Sequence, residues 1–349
     1  MVGMLGIDVS KGSLSCALLD RESEKCQWQR EFENSRRGVQ ELLGKTPPEA
    51  PWVMEPTGRY SLGVAKQARA AGRTVLLAPP RPTKRYLASI QDRAKTDRID
   101  GLGIAWFAAT RPKSQPLAPY PVPSEAVDEL QQLQTARRGV VDALTSLRQR
   151  LVELPYAAEP LQAAVQALAE QQAQLDAQIA AAAKALAPAP LKRLQAVVGI
   201  GPVTATAVLA RMQGRTFARS DQWVAYLGLD IGVVQSGKRK GERGLTKQGD
   251  AELRRLFYLC AASAVRSDQG PFKAQYEKEL ARGRKKTAAL CIIARKLAKV
   301  AWAIVERGAE WDPERVYTPA PATPETGGRT QSVYAAPGLG ASHEGTPLN

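Results

Sequence analysis

The sequence predicts an α/β domain followed by mostly helical units, and three observations predict it. Short apolar runs alternate with helical segments through residues 1–112. A Leu-, Ala-, Gln- and Arg-rich stretch with helical spacing follows, and beyond it come helical segments punctuated by glycine turns. Residues 1–112 therefore form a first domain, 113–190 a long helical hairpin or coiled coil with a linker, and 191–311 a mostly helical third unit. Residues 312–349 form a disordered tail, rich in Pro, Thr, Gly and Ser with little periodic apolar pattern.

Strands are expected at 4–9, 14–20, 26–33, 51–55 and 73–78, and helices at 36–44, 59–71 and from about Thr96 to Ala109. The first three strands have no helix between them and read as an antiparallel meander; the alternating β and α units after them add parallel strands. That order matches a ribonuclease H-like sheet. In the next unit Val140, Leu144, Leu147, Leu151 and Leu154 step by four and three, and Leu161, Val165, Leu168, Leu175, Ile179 and Leu186 keep the register. Pro155 and Pro160 break the segment into two long helices, which form either a hairpin within the chain or a dimerising arm. Ala187-Pro188-Ala189-Pro190 reads as a linker.

Composition narrows the function. Lys and Arg number 49 against 34 acidic residues, a net charge of +15, which favours a polyanionic partner and nucleic acid first. Cys16, Cys26, Cys260 and Cys291 lie far apart, and the lone histidine, His343, falls in the tail, so zinc binding and histidine general-base chemistry are not expected. No apolar run approaches the roughly 20 residues that a bilayer demands. A first strand close to Met1 leaves no room for a signal peptide, and a cytoplasmic, nucleoid-associated protein is expected.

Four carboxylates carry the chemistry: Asp8 in Leu-Gly-Ile-Asp-Val-Ser, Glu55 in Trp-Val-Met-Glu-Pro-Thr-Gly, and Asp97 with Asp100 in Lys-Thr-Asp-Arg-Ile-Asp. The first two end strands, and the last two sit on one face at the start of a helix. Such a cluster of hard oxygen ligands suits Mg²⁺, which assists phosphodiester cleavage. Taken singly, Asp8 also reads as a strand-end charge or as part of the first phosphate loop of actin-like ATPases and sugar kinases, but the second Gly-rich loop and the adenosine-binding Gly motif that those proteins need are missing. Asp97 and Asp100, taken alone, read as a charge pair favoured by the helix dipole. Asp92 lies off their face.

Two further segments point to nucleic acid. Leu194 to Ala205 reads as a helix-hairpin-helix turn in which Gly199 and Gly201 admit a phosphate and the second helix, with Thr204, offers its N-terminal amides, or else as a tight turn with no ligand. The other is a basic loop of Lys238, Arg239, Lys240, Arg243 and Lys247 around Ser236, where the serine is either a nucleophile or a phosphate contact. Thr246 is the second hydroxyl there, and the basic residues from Lys278 to Lys299 form a solvated or nucleic-acid-facing surface.

Together these motifs, with the Gln-Ser-Gly loop and the Thr-Lys-Gln-Gly-Asp run before Leu253-Arg254, resemble the DEDD-type insertion-sequence transposases related to the Piv DNA invertase, some of them bridge-RNA-guided recombinases. The resemblance covers the chain to about Arg307. It implies a Holliday-junction-resolvase-like first domain with Asp8, Glu55, Asp97 and Asp100 at the metal positions, and Ser236 as a nucleophile forming a phosphoserine–DNA intermediate. It also implies element-end and target DNA, a guide RNA and a homo-oligomer as partners. A metal-dependent nuclease using water, or a non-catalytic nucleic-acid-binding protein, is the alternative. The tail has no counterpart in the family pattern, and the loop after Ser236 is more charged than that pattern.

Overall fold

The computed structural model describes residues 3–20, 23, 25–90, 100–112, 114–232, 244–267 and 271–314. The first domain is built on a sheet of β1 (Gly3–Val9), β2 (Ser13–Asp20), β3 (Cys26–Glu33), β4 (Trp52–Met54) and β5 (Val75–Leu77), in the order β3-β2-β1-β4-β5. β1, β2 and β3 pair antiparallel, while β4 and then β5 add parallel to β1, the meander-then-parallel order that the sequence predicts. The parallel additions need crossovers. They are α1 (Arg36–Lys45), capped by the Ser35 hydroxyl accepting from the Gly38 amide, and α2 (Arg59–Ala70).

Alternation along the strands divides the domain into two layers. Leu5, Ile7 and Val9 of β1 point with Leu14, Cys16, Leu18, Trp52 and Met54 towards Val39 and Leu42 of α1 and Val64, Ala65 and Ala68 of α2. Met4 and Val53 point the other way, onto Ile104 and Ala108 of a short apolar helix, α4 (Gly101–Ala109). Between β5 and α4 lies a helix that the strand-and-helix pattern misses, α3 (Pro80–Ile90). Its prolines at 80 and 82 look like loop punctuation, yet a proline is tolerated in the first turn, where no intrahelical amide bond is lost. The expected helix from Thr96 begins at Gly101 among the described residues; 91–99 lie outside them.

Beyond the sheet come α5 (Glu125–Glu153), a single 3-10 turn at Pro155–Ala157, and α6 (Ala158–Leu186). Ser124 caps α5, and Glu125 and Asp128 in its first turn complement the helix dipole. The Arg137–Asp176 ion pair fixes the two as antiparallel neighbours, since these residues stand about equally far from the connecting turn. Pro160 therefore does not break the chain; it sits in the first turn of α6. Only Leu144 of the expected α5 seam is buried, and at the tip Val152 and Tyr156 are 84% and 106% exposed. Burial increases towards the root, where Leu130, Ile179 and Ala183 join the core of the helical unit.

That unit comprises α7 (Pro188–Gln195), α8 (Pro202–Met212), α9 (Ser220–Leu227), α10 (Ala251–Ala264), α11 (Pro271–Ala281) and α12 (Lys286–Arg307). The expected linker at 187–190 is a correction: Pro188 opens α7, Ala187 is buried, and Leu191 and Leu194 pack into the core. Trp223, Phe257 and Phe272 are fully enclosed. The first domain is tied to α5 by Lys66–Asp128 at 2.5 Å, and to the segment leading into α5 by the Ser61 hydroxyl meeting that of Tyr120 at 2.8 Å. Among the described residues no helix is long and apolar enough to cross a membrane.

Candidate active site

The register of the parallel pair brings the first two carboxylates together. Leu5, Gly6 and Ile7 stand opposite Trp52, Val53 and Met54, so one further step sets Asp8 beside Glu55. Ile7 and Met54 enter the α1–α2 layer, so by alternation Asp8 and Glu55 lie on the opposite face, the one covered by α4. On the antiparallel side Asp8 faces Ser15.

α4 reaches that face because glycine lets it. A Cβ on Gly6 would stand 2.0 Å from the carbonyl oxygen of Gly101 and 2.4 Å from the amide nitrogen of Ala105. One on Gly101 would stand 2.3 Å from the Ser15 oxygen. The helix thus lies backbone to backbone on β1 and β2, with its first turn over the strands that carry Asp8 and Ser15. Asp100 is the N-cap, its Oδ1 accepting from the Gly103 amide at 2.8 Å, so one carboxylate oxygen holds the helix end and the second is not needed by the cap. Asp97, like the decoy Asp92, lies outside the described residues. No group of three or more His, Cys, Asp or Glu among the described residues is gathered tightly enough to hold a metal. The structure therefore brings Asp8 and Glu55 together and sets Asp100 on the same face as a separate cap.

Glu55 holds its proton more tightly than an ordinary glutamate, first because burial disfavours the charged form and also because Asp8 repels it, with Lys84 opposing. Sequence reasoning misses Lys84, because it lies on α3; its signal in the sequence is no more than a basic residue one element beyond β5.

The expected nucleic-acid contacts divide. Gly199 has φ +91, and a Cβ there would stand 2.6 Å from the Cys260 oxygen and 2.7 Å from the Ala264 Cβ. On the side of its missing Cβ, Gly199 packs against α10 of its own chain. The Thr204 side chain is buried and accepts from the Cys260 thiol at 3.2 Å, so it faces the core. Gly201 is exposed, with open space around it at the N-cap of α8.

Ser236, Lys238, Arg239, Lys240 and Arg243 lie outside the described residues. The ends of their segment are held together: Gly232 donates to the Gly244 oxygen at 3.0 Å, Ile231 bridges Leu245, and the Thr246 hydroxyl donates to the Asp230 carboxylate. Lys247 is exposed and left-handed at φ 53. Part of the basic surface further on is consumed internally, since Arg282 and Arg284 both pair with buried Glu279, and Lys299 pairs with Asp221.

Comparison with known proteins places these features in one family. The model for DEDD transposases of the IS110 type, described as "Transposase", matches residues 5–154, and that described as "Transposase IS116/IS110/IS902 family" matches 191–277. A Pseudomonas aeruginosa protein named "Probable family 20 transposase" is 27% identical over 342 residues, covering 87% of this chain and 96% of its own. The "Transposase for insertion sequence element IS1328" of Yersinia enterocolitica is 29% identical over 121 residues, 34% of this chain and 36% of its own. Among solved structures, T. thermophilus RuvC in complex with Holliday junction substrate aligns over 34% of this chain and all of its own, at 16% identity and a TM-score of 0.27. The two family models span both halves of the molecule, the sheet domain with its carboxylates and the helical unit with its basic loop, and the chain belongs to the IS110/IS116 family of DEDD insertion-sequence transposases.

Proposed function

We propose that this protein cleaves and rejoins DNA strands during movement of an insertion sequence, with Asp8, Glu55, Asp97 and Asp100 as its metal-binding carboxylates. The observation that carries the reading is the setting of Asp8 beside Glu55 at the ends of adjacent parallel strands, under the Asp100-capped end of α4. The donor set fits a hard divalent cation: all its atoms are carboxylate oxygens, and the burial and repulsion that raise the proton affinity of Glu55 are what a cation would offset. When bound there, Mg²⁺ supplies Lewis-acid polarisation of the phosphate and neutralises its charge.

Ser236 is the nucleophile in this proposal, supported by its setting in the basic Gln-Ser-Gly loop and by the family resemblance. Its oxygen forms a bond to phosphorus as a deoxyribose hydroxyl leaves, and a hydroxyl of the exchanging strand then displaces the serine, so the number of phosphodiester bonds is conserved. That economy accords with a chain lacking nucleotide-binding motifs. Lys238, Arg239, Lys240, Arg243 and Lys247 hold the DNA backbone, with the exposed N-terminus of α8 at Gly201 in support. A guide RNA is proposed on the resemblance. A homo-oligomer is proposed on the large apolar side chains exposed at the α5–α6 tip.

Incubating the protein with its element-end DNA and Mg²⁺ and resolving the products on a denaturing gel tests the serine step. A covalent protein–DNA adduct is expected from the wild type and none from Ser236→Ala. Undiminished cleavage by Ser236→Ala without an adduct would assign the attack to water.

A further inference from the structure

A groove of about 610 Å³ runs between the first domain and the helical unit, and no role assigned above uses it. One side is the turn directly after Glu55, with Gly58 and Arg59; the other is Gln132 and Gly139 of α5 with Gln213 and Arg215 just beyond α8. The groove follows Glu55 in sequence but lies with Leu62 and Tyr120 on the α1–α2 side of the sheet, across from the carboxylates. The acidic residue in its wall, Asp128, is already engaged by Lys66.

Much of the remaining wall is apolar, with Pro56, Leu62, Tyr120, Pro121 and Pro123, and the charge in it comes from Arg59 and Arg215, with glutamines beside them. Arg59 is exposed. The Arg215 guanidinium lies over the Tyr226 ring at 5.2 Å and donates to its hydroxyl at 2.8 Å, a fixed platform that leaves donors for a phosphate. The volume falls in the range that holds a drug-sized molecule, about 300–1,000 Å³. That is room for a short run of one strand. Gly139 adds an independent observation: it sits in the interior of α5, where glycine is a poor choice for the helix, and a Cβ there would meet nothing within 4 Å. Among the described residues no contact requires glycine at that position, and what it supplies to the groove is room.

We propose that this groove holds the sugar–phosphate backbone of a single DNA strand, with Arg59 and Arg215 on its phosphates and the glutamines on exposed base or sugar groups. The inference rests on the reading of this chain as one that cleaves and rejoins DNA strands, and its test is independent of cleavage. Full-length protein is titrated against a fluorescent single-stranded oligodeoxynucleotide in EDTA, and anisotropy is followed at several salt concentrations.

Gly139→Glu, which places a negative charge in the groove and improves the helix, is expected to weaken binding about tenfold. Gly44→Glu makes the same charge change at an exposed helical glycine of α1 outside the groove, with equally open space around it, and is expected to stay within about twofold of the wild type. Arg59→Ala should make the salt dependence shallower by roughly 0.7 in log–log slope for each phosphate that Arg59 neutralises. Equal effects of the two Glu substitutions would overturn the proposal, as would a Gly139→Glu defect confined to an RNA oligonucleotide of the same sequence. Cleavage retained by Asp8→Asn would sink the carboxylate reading instead, whatever the binding result.

Discussion

Asp8→Asn should abolish DNA strand cleavage, by on the order of 10³-fold or more, while leaving the sheet folded. The magnitude follows from removing one carboxylate of a pair that positions several kcal/mol of charge stabilisation on the phosphate, at about 1.4 kcal/mol per tenfold in rate. The fold should survive because Asp8 lies at the end of β1 and the apolar core that holds the strand is carried by Leu5, Ile7 and Val9. Glu55→Gln provides the partner measurement by thermal unfolding. Burial and the Asp8 charge raise the proton affinity of Glu55 in the folded chain, so its contribution to stability is fully present below the ordinary glutamate range and is lost as pH rises through its folded value. In EDTA at neutral pH, Glu55→Gln should therefore melt above the wild type, and the gap should close on acidification. Adding Mg²⁺ should reverse the order: a ligand at a hundred times its dissociation constant stabilises by about 2.7 kcal/mol, several degrees in melting temperature, and the variant should gain far less. Equal Mg²⁺ shifts in wild type, Asp8→Asn and Glu55→Gln would remove these residues from the metal site.

Much of the first domain is legible in the sequence because its signals are local. Alternation in Leu5–Val9 and Leu14–Leu18 fixes two-faced strands, and three strands without a helix can pair only as a meander, so the order of the sheet and the strand-end placing of Asp8 and Glu55 follow. Proline misleads twice in the same way. Pro80 and Pro188 each begin a helix, α3 and α7, whereas composition alone makes the Ala-Pro repeat look like a linker. Lys84 is hidden along with α3. The glycines of the 199–201 turn show a different limit. Both suggest close backbone approach, but which surface approaches is decided by distant residues: Cys260 and Ala264 of α10 fill the space at Gly199, while Gly201 stays open. The groove between α2 and the α5–α8 packing is not legible at all, since Arg59, Gln132 and Arg215 are brought together only by the packing of α5 and α8 against the first domain.

Gly6→Ala should be the most damaging single-methyl addition in the first domain, and its effect should reach the carboxylates. The added Cβ would fall 2.0 Å from the Gly101 oxygen, 2.4 Å from the Ala105 nitrogen and 2.9 Å from the Ala105 Cα. All three are backbone atoms, so no side-chain rotation relieves the overlap and α4 has to lift from the sheet. Overpacking ordinarily costs about 1–3 kcal/mol; here the upper end or beyond is expected, because the helix also presses Gly101 onto the Ser15 carbonyl and Ile104 and Ala108 into the core beside Met4. Lifting α4 carries Asp100 away with the helix end that it caps, so Gly6→Ala should lose most of the Mg²⁺-induced rise in melting temperature even where the chain remains folded. Gly44→Ala is the matched control: Gly44 is an exposed position of α1 with nothing within 4 Å of its ideal Cβ, and the added methyl should stabilise the helix by about 0.5–1 kcal/mol. Urea unfolding of the two variants, with and without Mg²⁺, separates the cases. A Gly6→Ala protein as stable and as responsive to Mg²⁺ as the wild type would mean that α4 does not rest on β1 at this point, and that Asp100 does not share a face with Asp8 and Glu55.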